Sequence, residues 1–359
     1  MELVTKPHLL LSLTVLILLL SGCRPIMVPF DEKVPAQNLS YVGAPPVVDA
    51  RVRFRPIFCD LLRHRVKYHE PQLSCDDFLW KLIDEPASSI LPANLPKHDP
   101  SFVILMVPGA FSECVGDIGK PFQEPAARLR KLGYRIMNVD VSGLSSSSKN
   151  AEIIAQSVAN EKLDPSQRLI LLGHSKGTTD ILHFLVDYHD LALKVDAVLS
   201  VSGAVNGSPL ADRYYRTKYD NWLAKHSIGK CLPGDGGLLD SLSRVVQIQW
   251  LATHPLPADT RYFSVGAFVR HEDVHLLHRY THHLLSKIDP FNDGQLLMID
   301  QLIPGSYLLG YVNADHWSVA VSMEEKYSIS NSRQLERDRI LRDVLFEAMI
   351  LFVIQNING

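Results

Sequence analysis

No strong charge imbalance, no C-x-x-C pair and no internal repeat mark this sequence of 359 residues. Its formal net charge is only -3, so the broad basic surface that a nucleic-acid partner needs is missing. The lack of C-x-x-C removes the common zinc and dithiol redox motifs. Long low-complexity tracts are absent. With 46% hydrophobic and 21% charged residues, the composition is that of a folded chain rather than a disordered one. There is ample apolar material for a large core. The length suits one large catalytic domain with embellishments, or two small domains.

One apolar run stands out near the N-terminus. Leu9 to Leu20, behind Lys6, is shorter than the ~20 residues that span a bilayer and matches the core of a signal peptide. It leads into Leu20-Ser21-Gly22-Cys23, which resembles the lipobox of bacterial lipoproteins. The resemblance implies a removable signal peptide over residues 1–22 and diacylation of Cys23, with a further acyl chain often on the new N-terminus. Several chains anchor stably, since each buried CH₂ contributes roughly 0.8 kcal/mol. Arg24 rather than Asp follows Cys23. The resemblance therefore implies the cell envelope and, if the source is a diderm bacterium, the outer membrane, with the protein facing periplasm or cell surface. An ordinary cleaved signal, or an uncleaved anchor with a chance cysteine, is the plainer alternative. Cys59, Cys75, Cys114 and Cys231 remain. In an exported protein they permit two disulfides in three connectivities. Cys59 with Cys75 is the easiest local loop, but the sequence does not choose.

Residues 23–50 carry Pro25, Pro29, Pro35, Pro45 and Pro46 and read as a lipidated tether. Residues 51–97 read as a basic N-terminal extension, with Arg51, Arg53, Arg55, Arg63, Arg65 and Lys67, and His64 and His69 between them. These cations either face anionic headgroups or form a solvated face. From Ser101 a strand-helix rhythm begins. Phe102 to Val107, Tyr134 to Val141, Arg168 to Leu172 and Val195 to Val201 predict strands. Pro121 to Leu132, Asn150 to Leu163 and Lys176 to Tyr188 predict helices. The rhythm breaks at about 207–258, where Trp222, Trp250 and Tyr214-Tyr215 suggest an inserted cap. It resumes with strands at Arg261 to Phe268 and Ser306 to Val312, then a terminal helix at about Gln334 to Ile354. Such alternation predicts an α/β fold, a mostly parallel sheet flanked by helices, over residues 98–359.

Gly173-His174-Ser175-Lys176-Gly177 follows the third of these strands and opens a helix. Gly-x-Ser-x-Gly alone is a weak signal; a buried strand before it and a helix after it make a nucleophile elbow. Motifs and chain order from residue 98 onward resemble the α/β-hydrolase superfamily in its lipase and esterase branch. The resemblance implies Ser175 as nucleophile, then an acid, then a histidine. Phe291-Asn292-Asp293-Gly294-Gln295 is similar to the acid-bearing segment of many lipases. It implies Asp293 as the acid, with Asp289 and Asp300 as rivals and an Asp-Gly turn as the structural alternative. Asn313-Ala314-Asp315-His316-Trp317 follows the last strand and implies His316 as the base. Val107-Pro108-Gly109-Ala110-Phe111 resembles the lipase oxyanion loop, with Pro108 in place of its histidine. Ala110 and Lys176 would then supply the two oxyanion amides, with Phe111 as fallback. The Lys176 side chain is expected to be solvated.

These residues predict an exported serine hydrolase that cleaves carboxyl esters with an apolar acyl group, without a cofactor. One motif competes. His271-Glu272-Asp273-Val274-His275 matches the zinc-peptidase pattern H-E-x-x-H. On a helix, His271, His275, His278 and His282 would form one stripe, able to hold a structural or adventitious metal, with Val274, Leu277, Leu284, Leu285 and Ile288 as a separate apolar face. No glutamate follows before Glu324, and the metzincin continuation is absent. A row of histidines bordering a buried face is the simpler account. A non-catalytic envelope scaffold that kept the fold is the other alternative; it has no need of Ser175, Asp293 and His316 together.

Overall fold

The computed structural model describes residues 45–66, 73–82, 85, 101–213, 222–322 and 332–357. The signal-peptide segment, Cys23 and most of the tether lie outside the described residues. Three apolar runs become strands over the residues expected: β2 (Phe102–Val107), β5 (Val195–Val201) and β6 (Arg261–Phe268). β4 (Arg168–His174) runs on to the residue before Ser175, β7 spans Tyr307–Asn313, and β3 (Arg135–Asn138) is shorter than its apolar run. Val48–Asp49 forms β1 at the sheet edge. The order is β1-β7-β6-β5-β4-β2-β3, and every neighbouring pair is parallel.

A parallel sheet is covered on both faces, which is why these strands are apolar without alternation. Phe102, Ile104 and Met106 of β2 point into one layer. There they meet α1 (Arg51–Val66), α2 (Gln123–Lys131) and α7 (Ser332–Ile357). Val103, Leu105 and Val107 point into the other, against α3 (Ser147–Asn160) and α4 (Lys176–Asp187). Phe352 of α7 meets Phe54 edge-on at 5.8 Å, and Phe346 stacks on Phe122 at 5.1 Å. No helix among the described residues is long and apolar enough to cross a membrane.

The basic stretch matches the solvated face only in part. α1 buries Phe54, Phe58 and Leu62 in the main core. Arg51 and Arg55 are buried and paired, Arg51 with Asp49 at 2.7 Å and Arg55 with Glu85 and Asp76, and Arg65 pairs with Glu347 at 3.0 Å, whereas Arg53, Arg63 and His64 are exposed. Residues 48–66 thus share one core with the strands from Phe102 onward. Lys67 and His69 lie outside the described residues.

Between β5 and β6 the chain forms short helices at Pro209–Asp212 and Leu238–Leu242, then α5 (Arg244–Thr253). Ser243 caps α5 by accepting from the Val246 amide, a contact worth about 1 kcal/mol. Leu223, Cys231 and Leu238 pack with Leu144 and Cys114 as a small satellite core. Two disulfides form, Cys59–Cys75 and Cys114–Cys231. The second ties the inserted segment to the short helix Ser112–Val115 after β2.

Candidate active site

Three loops leave the carboxyl ends of parallel strands, the edge where open α/β sheets place their ligands. Ser175 follows β4, His316 follows β7, and Ala110 follows β2. Asp293 lies between α6 (Arg279–Leu285) and β7. Ser175 takes φ 55° and ψ -130° between strand and helix, a strained conformation for a residue with a side chain. Its glycines are needed for close approach. A Cβ on Gly173 would sit 2.6 Å from the Thr178 backbone, and one on Gly177 2.6 Å from the Pro108 carbonyl oxygen.

The three sequence candidates come together. His316 Nε2 lies 2.8 Å from Ser175 Oγ, and His316 Nδ1 lies 2.7 Å from Asp293 Oδ2. Nδ1–H donating to the carboxylate leaves Nε2 to accept the serine proton. Asp293 is fully buried, and its Oδ1 accepts the Gln295 and Leu296 amides at 2.8 and 2.7 Å. The His316 amide donates to the Asp293 carbonyl at 2.8 Å, so backbone as well as side chain joins base to acid. Such a line can move a proton from Ser175 to His316 and stabilise the resulting imidazolium.

The rival acids have other partners. Asp300 is buried and accepts Arg244 Nε at 2.8 Å. Asp289 accepts the Phe291 amide at 2.9 Å. The Phe111 amide, the fallback oxyanion donor, is committed to the Gly143 carbonyl at 3.0 Å. Ala110 lines a cavity of about 340 Å³ together with Ser175, His316, Phe111, Ile228, Trp317 and Val321. A larger cavity, about 630 Å³, opens beside Arg261 and Tyr307 at the opposite strand ends and touches none of the three candidates.

The Lys176 side chain differs from the solvated group expected. It is buried and pairs with Asp180 at 2.5 Å. The helical stripe also differs. Residues 271–275 form a turn, followed by a 3-10 turn at Leu276–His278 and then α6. The histidines turn inward instead: His275, His278 and His282 are buried, while Leu277 and Ile288 of the expected apolar face are exposed. His271 Nδ1 lies 3.3 Å from His282 Nδ1, whereas His275 pairs with Asp315. No cluster among the described residues has the make-up of a metal site.

Sequence reasoning missed one group beside His316. His174 fills the variable position of Gly-x-Ser-x-Gly, which carries no signal of its own. Its Nε2–H donates to the His316 carbonyl at 2.9 Å. Burial, and then the neighbouring His316, push its pKa down to about 3, so the ring stays neutral. Asp315 faces His275 and not His316.

No protein-family model and no curated protein matches the sequence. Among solved structures the chain is similar to the metagenomic carboxyl esterase MGS0156. The identity is 32%, with 90% of this chain and 97% of that chain covered and a TM-score of 0.77. It is also similar to the mature lipase BlEst2 of Bacillus licheniformis, at 20% identity over 61% of this chain and 86% of that one, TM-score 0.48. EstA from Clostridium botulinum is similar at 13% identity over 69% of this chain and 88% of that one, TM-score 0.47.

Proposed function

The chain belongs to the family of the metagenomic carboxyl esterase MGS0156 and has the α/β-hydrolase fold of an ester hydrolase; from that premise we propose that it is a serine carboxylesterase whose triad is Ser175, Asp293 and His316. The line from Ser175 Oγ through His316 to Asp293, at 2.8 and 2.7 Å, carries the reading. Ser175 attacks the acyl carbonyl while His316 takes its proton and Asp293 stabilises the imidazolium. The tetrahedral oxyanion rests on the Ala110 and Lys176 amides, each worth about 3 kcal/mol. His316 returns the proton to the leaving alkoxide. Water, activated by the same histidine, then releases the acid from the acyl-enzyme.

The acyl group enters the cavity beside Ser175. Its walls of Ile228, Val115, Trp317 and Val321 favour an apolar chain over a charged one. The enzyme is exported and anchored through acylated Cys23. The Leu-Ser-Gly-Cys segment and the two disulfides support this, since structural disulfides persist in oxidising compartments. Hydrolysis of p-nitrophenyl esters of increasing chain length tests the reaction. Wild type turns over the short and medium esters, and Ser175→Ala leaves only background. Equal rates for both proteins reject the assignment. Detergent-phase partitioning of wild type against Cys23→Ser tests the anchor.

A further inference from the structure

The H-E-x-x-H segment, which the triad leaves unused, packs against the base. The His278 ring meets His316 edge-on, 6.5 Å between centroids, and Trp317 at 4.4 Å. Its Cβ stands where a Cβ on Gly294, in the acid loop, would come within 2.8 Å. His278 therefore fills the space between the loop of Asp293 and the loop of His316. Asp315, the residue before the base, is buried with every oxygen engaged. Oδ2 accepts the His275 amide at 3.0 Å and pairs with His275 Nδ1 at 2.5 Å. Oδ1 accepts the Trp317 and Ser318 amides at 3.2 and 3.0 Å and lies 3.5 Å from His278 Nδ1. His275 Nε2 stands 3.1 Å from Asp338 Oδ2 on α7, and Asp338 also pairs with Arg337 at 3.0 Å.

The geometry points to a second acid–imidazole pair, Asp315 with His275, which positions His316. This rests on His316 being the base of the triad. The positioning follows from the contacts. Asp315 grips the backbone on the far side of His316, at residues 317 and 318, while His275 and Asp338 tie it to α7. The base therefore sits in a loop closed at both ends. Charge holds the pair together. Burial alone pulls the His275 imidazole down, but Asp315 and Asp338 outweigh it and lift its pKa to about 10. Burial pushes Asp315 up, but His278 and His275 outweigh it and hold the carboxyl well below its usual range. Across the neutral range His275 is therefore a cation on the Asp315 carboxylate.

The other groups facing His316 are Asp293, Ser175, His278 and the neutral His174. From α7, Arg342 Nη1 reaches the Ser318 and Val321 carbonyls at 3.4 Å. The Arg279 guanidinium lies on the Val274 carbonyl at 3.4 Å. Neither of these contacts engages the His275 ring or the Asp315 carboxylate.

The test is steady-state hydrolysis of a soluble short-chain p-nitrophenyl ester, read beside Tm. Asp315→Asn and His275→Gln lower kcat by about tenfold to a hundredfold with KM nearly kept, as loss of alignment does. Asp338→Asn acts from α7 without touching the loop and lowers kcat less. It keeps the test decisive if His275→Gln does not fold. Folded variants with the wild-type kcat, or with kcat and KM both impaired only in proportion to the loss of Tm, overturn the inference. Fluorophosphonate labelling of wild type separates the two levels. Labelled Ser175 with kcat unmoved in the variants sinks only the second pair, whereas unlabelled Ser175 sinks the triad and this inference with it.

Discussion

Replacing Lys176 by methionine isolates a buried charge beside Ser175. Lys176 and Asp180 are each 1% exposed, and their charged atoms are 2.5 Å apart. Asp180 also accepts Ser147 Oγ at 2.6 Å and Asn150 Nδ2 at 2.7 Å. Burial pushes the Asp180 pKa up, and Lys176 is the largest opposing influence. In Lys176→Met that carboxylate keeps only two neutral donors. Breaking one side of a buried pair costs about 3–5 kcal/mol, because the remaining charge stays dehydrated. Asp180→Asn on the same background removes that charge and recovers part of the loss. Guanidinium unfolding of wild type, both single variants and the double closes the cycle, with a coupling of about 2 kcal/mol or more expected. The Lys176 amide is retained, so Ser175 should still be labelled by a fluorophosphonate. A Lys176→Met protein within about 1 kcal/mol of wild type, or additive losses, would refute the reasoning.

The disulfides should rank by loop length. Loss of Cys114–Cys231, with a sequence separation of 117, should cost about 5 kcal/mol, and loss of Cys59–Cys75, separation 16, about 3 kcal/mol; paired serine variants compared by Tm check the order. Stability should peak near pH 6.5. Below it, His174 and His183, pushed by burial to about 3 and about 4, refuse protons that the unfolded chain binds. Above it, the stabilisation from His275, raised from 6.5 to about 10, is lost as pH climbs through that value. Tm against pH reads both sides, and His275→Gln should flatten the alkaline one. Asp293→Asn should lower kcat by about 10⁴-fold, because an amide holds the wrong imidazole tautomer; steady-state kinetics beside an unchanged Tm would show it.

The strands were legible because a parallel sheet needs uninterrupted apolar runs. Val195–Val201 and Arg261–Phe268 stand where the residues place them. The candidate triad stood out for a different reason: Ser175, Asp293 and His316 lie in the chain order of the superfamily, the first after β4 and the last after β7. Charges were the blind spot. Arg55 and Arg65 of α1 read as surface groups because their partners, Glu85 and Glu347, are remote in sequence. Lys176 read as solvated although Asp180, its partner, lies one helical turn on. The histidines of 271–282 carried a helical period, yet a turn at 271–275 sends them inward toward Asp315. Cys114 and Cys231 could be paired only once the fold had brought the inserted segment over β2.

The most direct measurement is peptide mass spectrometry of the protein after reaction with a fluorophosphonate. The account predicts one phosphonyl adduct, on the peptide containing Ser175, absent in Ser175→Ala and strongly slowed in His316→Ala. A well-folded wild type without that adduct, or with it on another serine, would contradict the account.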